Sequence, residues 1–336
     1  MVTTAGSKAK KVALNLVSLI AAVTLSFGAS EALLRLKNAS MKNYDIEMWR
    51  YAKELKTLSP NPSLGHEHLP NSSAVLESVL IRTNAWGLRG GQITESPAPG
   101  MRRILILGSS IALGWGVDED KTVSALLQKK FDAAQQKVEV LNAGIGNYNT
   151  ERYVEHFLLR LTPLKPTDIL VLAFVRDGEE LSLGGGNFLL RNSELAVTIW
   201  TASNQLFGAA GEKSLVDLYR AVYAPHSQAL AVMQAEFAKL ADYAKAHDIR
   251  VTLAMVPDVH SLKSYPLGFV HDIFAATSRK LGFTYVDLLP ALQGLTPEEV
   301  WAMPGDPHPN ARGHAIMADA IYPVLAAETQ SSVKSY

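Results

Sequence analysis

Between residues 103 and 326, short apolar runs alternate with longer segments of helical spacing, and that rhythm leaves few folds open. The runs lie at 103–108, 138–142, 168–174, 249–256 and 285–288, each of strand length. Helical spacing is expected over 122–136, 150–161, 227–247 and 311–326. Strands that are apolar throughout need cover on both faces, and the intervening helices supply it. The expectation is an α/β protein with a central parallel sheet. Residues 178–225 interrupt the rhythm with Gly184-Gly185-Gly186 and Trp200, and read as an insertion over the site.

The amino terminus is a second constraint. Lys8, Lys10 and Lys11 precede an uncharged stretch over 12–30. Nineteen helical residues span roughly 28 Å, close to the thickness of a bilayer core. The preceding lysines favour a cytoplasmic amino terminus, so the rest of the chain is expected outside. Gly28-Ala29-Ser30 resembles a signal-peptide cleavage site, which leaves removal of the segment as the alternative. The apolar pattern nevertheless runs on through Glu31-Ala32-Leu33-Leu34-Arg35-Leu36. The chain is thus divided into an anchor (1–37), a stalk and lead-in (38–100), an α/β domain (101–328) and a tail (329–336). Within the stalk, helical spacing over 44–58 is stopped by Ser59-Pro60-Asn61-Pro62.

Thirty-two basic and 32 acidic residues give zero formal net charge, which argues against a nucleic-acid partner. The absence of cysteine excludes disulfides and thiolate metal sites.

Polar clusters fall where strands end or helices begin. Gly108-Ser109-Ser110 closes the first apolar run, and Asn142-Ala143-Gly144-Ile145-Gly146-Asn147-Tyr148-Asn149-Thr150 follows the second. Phe174-Val175-Arg176-Asp177 follows the third, and Asp306-Pro307-His308-Pro309-Asn310 precedes the last helix. A serine nucleophile needs a base, a group to orient that base, and donors for the oxyanion. Ser110, His308 and Asp306 are the candidates for the first three roles.

The order of these four blocks resembles the SGNH, or GDSL-like, hydrolase family over residues 101–327. Asn84-Ala85-Trp86-Gly87-Leu88-Arg89-Gly90-Gly91 also looks like the lead-in of membrane-anchored members. The resemblance implies a flavodoxin-like three-layer sandwich of about five parallel strands. It places the nucleophile on Ser110, the base on His308 and the nearest acid on Asp306. The Ser110 N–H would be one oxyanion donor. Gly144, Gly146 and Asn147 compete for the second, with the Gly146–Asn147 turn favoured. No metal or organic cofactor is implied.

The chain departs from the pattern in three places. The family's Gly-Asp-Ser becomes Gly108-Ser109-Ser110. Its third-block Asn, an oxyanion donor, falls on Arg176, which either donates to the oxyanion or pairs with an acid such as Asp177. Asp306 stands two positions before His308, as in some polysaccharide acetyltransferase relatives.

Other residues invite plainer readings. His66 and His68 read as loop contacts rather than metal ligands, and Asp258 with His260 as a loop pair. Trp86 and Trp115 read as packing residues rather than sugar platforms, and Trp200 belongs to the insertion. His314 is expected to face the first turn of the closing helix.

The expected function is that of a membrane-anchored acyl-ester hydrolase or acyltransferase facing the periplasm. Its substrate would be an acylated, most simply O-acetylated, envelope glycan or exopolysaccharide. The expected partners are that substrate, the bilayer of the inner membrane through residues 12–30, and an envelope assembly. The alternatives are a catalytically weakened binding or scaffold module and a lipid esterase or thioesterase.

Overall fold

The structure, a computed structural model, describes residues 3–38, 44–181, 187–208, 214–303 and 308–333. The chain divides into two compact units, residues 1–50 with 185–212 and residues 51–184 with 213–336.

In the first unit the helix Thr3–Asn38 runs unbroken through Gly28-Ala29-Ser30. It is long and apolar enough to cross a membrane over Lys10–Asn38. Val12, Leu16, Leu19 and Phe27 on it are exposed. The same unit holds the helices Phe188–Asn192 and Glu194–Gly208. The Glu31 carboxylate accepts from the Ser193 hydroxyl at 2.8 Å and from the N–H groups of Glu194 and Leu195 at 3.1 and 3.0 Å. It thereby satisfies N–H groups that the start of a helix leaves open.

The second unit opens with two small antiparallel pairs. β1 (Lys56–Leu58) pairs with β2 (His66–His68), and β3 (Ser73–Leu76) with β4 (Val79–Arg82). Residues 51–100, read from sequence as stalk and lead-in, pack into the same unit as the main sheet. Five parallel strands follow: β5 (Arg102–Gly108), β6 (Val138–Asn142), β7 (Asp168–Phe174), β8 (Arg250–Val256) and β9 (Thr284–Asp287). Their spatial order is β6-β5-β7-β8-β9, the flavodoxin-like order that the family resemblance implied. β5 and β7 are buried along their whole length because helices cover both faces.

The helix Val123–Ala133 buries Val123, Leu127 and Phe131 at helical spacing, capped by the Thr122 hydroxyl. The helix Thr150–His156 is capped by Asn149 and relaxes into a wider turn over Phe157–Leu161, where a single longer helix was expected. Gln228–Ala246 and Ala311–Val333 complete the expected helices. A further helix, Gly268–Leu281, lies where the sequence reading placed no element. Its buried Val270, Phe274 and Thr277 show the spacing that would have revealed it.

The two ends of the sheet differ in chemistry. At the amino ends of the strands, Asp168 is clamped by Arg102 at 2.7 Å and by Arg250 at 2.8 Å. The carboxyl ends carry the loops after β5, β6 and β7, where open α/β sheets form their sites.

Candidate active site

Gly108 ends β5 with φ +152°, a conformation that favours glycine. A Cβ there would lie 2.7 Å from the Leu172 carbonyl oxygen and 2.8 Å from the Ala112 Cβ. The chain can therefore turn sharply and start the single-turn helix Ser110–Leu113 hard against β7. Ser110 is the first residue of that turn, so its N–H has no acceptor within the helix.

The Ser110 Oγ lies 2.6 Å from His308 Nε2, across 198 residues of sequence. With the hydroxyl donating, Nε2 accepts and the ring proton sits on Nδ1. His308 is buried and held through its backbone, its carbonyl accepting from Ala302 N–H at 2.7 Å. Asn310 then starts the last helix, its Oδ1 accepting from Arg312 and Gly313 N–H. Asp306 lies outside the described residues.

The loop after β6 is built around hydrogen bonds that decide which N–H groups remain open. Asn142 Oδ1 accepts from Gly144 N–H at 3.0 Å, while Asn142 Nδ2 donates to the Ala112 carbonyl at 2.8 Å. Ile145 N–H donates to Gly108 at 3.2 Å, and Gly146 N–H to the Tyr51 hydroxyl at 2.9 Å. Gly144 and Gly146 were candidate oxyanion donors, but their N–H groups are committed to Asn142 and Tyr51. Their glycine identity has another cause. A Cβ on Gly144 would fall 2.1 Å from the Leu113 nitrogen, and one on Gly146 would fall 2.5 Å from the Tyr51 ring. Asn147 is the remaining candidate. It is exposed, has φ +62°, and its N–H has no acceptor among the described residues.

The third block also sorts itself. Arg176 is half exposed and its guanidinium binds Glu179 at 3.1 to 3.3 Å, not Asp177. Asp177 is buried. Its Oδ2 accepts from Phe174 N–H at 3.1 Å and from the Tyr153 hydroxyl at 3.2 Å. Its backbone carbonyl accepts from Thr150 N–H at 3.0 Å. Burial pushes the Asp177 carboxyl up to about 8, so it fastens the end of β7 to the helix Thr150–His156 as a largely protonated acid at neutral pH.

Arg89 and Lys56 were not singled out from sequence, and His66 was read there only as a loop contact. Arg89, in the lead-in motif, is buried and donates from Nη1 to the Leu113 and Gly114 carbonyls, both at 2.7 Å. Its Nη2 donates to Val117 at 2.6 Å. It thus holds the carboxyl end of the turn that begins with Ser110. The other two come from 51–68. Lys56 Nζ donates to the Gly146 carbonyl at 2.8 Å, and His66 Nε2 lies 3.0 Å from the same oxygen. Nothing local in the sequence marks these contacts, which join segments at least 80 residues apart.

The remaining histidines and tryptophans have definite places. Buried His68 bonds the Tyr51 hydroxyl at 2.6 Å and the Gly87 carbonyl at 2.8 Å. His314 Nδ1 accepts from Val123 N–H at 3.1 Å, serving the start of the helix Val123–Ala133 rather than only its own. Burial drives His314 down to about 3, so its ring is neutral and free to accept. Asp258 and His260 form a local pair at 2.7 Å. Trp115 is buried against Tyr51, Trp86 is partly buried, and Trp200 is exposed.

No curated protein matches the chain in sequence. Among solved structures it is similar to TesA, at 18% identity and TM-score 0.46 over 67% of this chain and 98% of that one. It is similar to the psychrotrophic esterase EstA from Pseudoalteromonas sp., at 17% identity and TM-score 0.43 over 68% and 99%. It is also similar to Axe2, an acetylxylan esterase from Geobacillus stearothermophilus, at 15% identity and TM-score 0.43 over 66% and 92%. The sequence pattern of the GDSL-like Lipase/Acylhydrolase family matches residues 106–316. That match runs from β5 into the last helix and takes in both Ser110 and His308, and the chain belongs to this family.

Proposed function

We propose that the chain is a serine acyl-ester hydrolase or acyltransferase, held at the inner membrane by residues 12–30, acting on O-acetyl groups of an envelope glycan on the periplasmic side. The observation that carries the chemistry is the 2.6 Å contact between Ser110 Oγ and His308 Nε2. In this reading Ser110 attacks the acyl carbonyl while His308 takes its proton. His308 then returns the proton to the leaving alkoxide, giving a Ser110 acyl ester. Water or a second hydroxyl, deprotonated in turn by His308, attacks the acyl carbon, the bond to Ser110 Oγ breaks, and Oγ takes the proton back from His308. Asp306 holds the imidazole tautomer in the family's manner. The tetrahedral oxyanion is bound by the N–H groups of Ser110 and Asn147, the two candidates left open by their surroundings. The glycan rests on family analogy and the anchor, which would keep the site near envelope polymers, and on no residue of the site itself.

One observation favours a second reading. Arg176 replaces a family oxyanion donor and is bound to Glu179, which fits a weakened binding or scaffold module. Reaction of the full-length protein with a fluorophosphonate separates the two. Covalent labelling of wild type that is absent in Ser110→Ala is the expected result, with at least about 10³-fold loss of ester hydrolysis in the variant. A folded wild-type protein that resists labelling would favour the scaffold.

A further inference from the structure

The Gly146 carbonyl and the Asn147 N–H belong to one planar peptide, and no cis bond occurs among the described residues. In a trans peptide these two groups point in opposite directions. Whatever grips the carbonyl therefore aims the N–H. Two side chains grip it: Lys56 Nζ at 2.8 Å and His66 Nε2 at 3.0 Å. They come from neighbouring paired strands, β1 and β2. The preceding N–H, on Gly146, is held by the Tyr51 hydroxyl, which is itself fixed by His68. Both sides of Gly146 are thus tied to the segment 51–68.

The grip is also electrostatic. Lys56 Nζ sits 4.1 Å over the Tyr51 ring, and no carboxylate pairs with it among the described residues. Its ammonium is directed at a single carbonyl oxygen. A charge-assisted bond to a carbonyl draws electrons through the amide and makes the N–H of the same peptide a better donor. Burial holds His66 down to about 2, so its ring is neutral and its Nε2–H donates.

We infer that Lys56 and His66 are positioning residues that aim and polarise the Gly146–Asn147 peptide, making the Asn147 N–H a strengthened oxyanion donor. This rests on the reading of Ser110 as nucleophile. It explains how the site can work with Arg176 turned to Glu179: part of the missing donor's effect is relayed through a backbone amide. It also gives 51–68 a role in catalysis beyond connecting the helix Thr3–Asn38 to the sheet.

The charge on Lys56 can be read by titration. Burial, aided by the Arg152 guanidinium, brings Lys56 down to about 7. His66 and His68 also face it, both held neutral by burial, and the Tyr51 ring lies beneath it. The ammonium is therefore lost as pH rises through about 7.

The test uses full-length protein in detergent micelles, with two readouts. The first is the amide proton shift of Asn147 in asparagine-labelled protein, which senses polarisation whether or not Ser110 reacts. The second is the rate of Ser110 phosphonylation by a fluorophosphonate, with kcat and KM on a simple acetyl ester. In Lys56→Met the Asn147 amide should move upfield, and phosphonylation and kcat should fall about tenfold with KM little changed, less than the loss of a whole donor. Lys56→Arg should restore most of the rate and remove the wild-type decline above pH 7, because a guanidinium stays charged. An Asn147 amide indifferent to Lys56→Met overturns the inference, as does a shifted amide with an unchanged rate. If wild type is not labelled but its Asn147 amide follows Lys56, the polarised peptide stands and the nucleophile reading falls, taking the catalytic role with it.

Discussion

Arg176 shows how a loop side chain can take a partner other than the one expected for it. By the family resemblance its position would carry a short amide donor. Here a long cation reaches back three residues to Glu179, in an ion pair whose arginine is 50% exposed. An exposed pair of this kind is worth about 0–1 kcal/mol and is screened by salt. Arg176→Ala should therefore leave kcat within about twofold of wild type and lower stability by less than about 1 kcal/mol, read by ester hydrolysis and urea unfolding. Arg176→Asn should match or exceed the wild-type kcat. A loss of about 10²-fold in kcat for the alanine variant would instead place the guanidinium on the oxyanion. Neither Glu179 as a partner nor the buried, protonated state of Asp177 was legible in Phe174-Val175-Arg176-Asp177, because both depend on how the loop after β7 folds.

At the scale of elements, the turn Ser110–Leu113 is too short to hold itself. In this four-residue helix the Ser110 and Ile111 carbonyls accept from Gly114 N–H and the Ala112 carbonyl from Asn142, while the carbonyls from Leu113 onward turn to a buried arginine from the lead-in. Arg89 binds the carbonyls of Leu113, Gly114 and Val117. Arg89→Ala would leave the Val117 oxygen without its donor and loosen Leu113 and Gly114, whose oxygens keep Asn142 Nδ2 at 3.5 Å and Val117 N–H at 3.1 Å, with an expected loss of about 1–3 kcal/mol in urea unfolding and slower phosphonylation of Ser110. Arg89→Lys should recover only part, since one ammonium lacks the planar fork that reaches three carbonyls. Wild-type stability in Arg89→Ala would show that the turn is held by packing alone. β5, β7 and β8 were legible as long, mainly apolar runs, and β6 and β9, which carry polar residues, from their place in the alternation with helices. β1 and β2, three residues each, are too short to show a period, and Lys56 and His66 on them meet Gly146 at least 80 residues away.

For the whole molecule, the helix Thr3–Asn38 is long and apolar enough to cross a membrane, and the proposed location rests on it. A cleaved leader and a retained anchor share the same apolar run, and they differ in what remains afterwards. In the anchored reading, the full-length protein stays with membranes through alkaline carbonate extraction. A reporter enzyme that works only in the periplasm should be active when fused after Tyr336. A mature amino terminus near Glu31 would show removal of the helix, and activity only from a cytoplasmic reporter would reverse the orientation. The helix Glu194–Gly208 belongs to the same unit and takes its first N–H contacts from Glu31, a residue at the edge of the apolar run. From sequence, residues 178–225 read as an insertion over the site, and the contact with Glu31 was not legible because it joins positions more than 160 residues apart.

The sequence by itself determined the parallel sheet and the family, because strand-length apolar runs and the order of polar blocks are local properties. It also singled out Ser110 and His308, each lying beside a recognisable strand end or helix start. Tertiary structure alone decided which amide of the 144–147 loop stays open, which acid Arg176 meets, and what Arg89, Lys56 and His66 hold. The physical reason is common to all of these. A backbone N–H or carbonyl is the same group at every residue, and only the partners that folding brings to it decide whether it is spent on structure or left for chemistry.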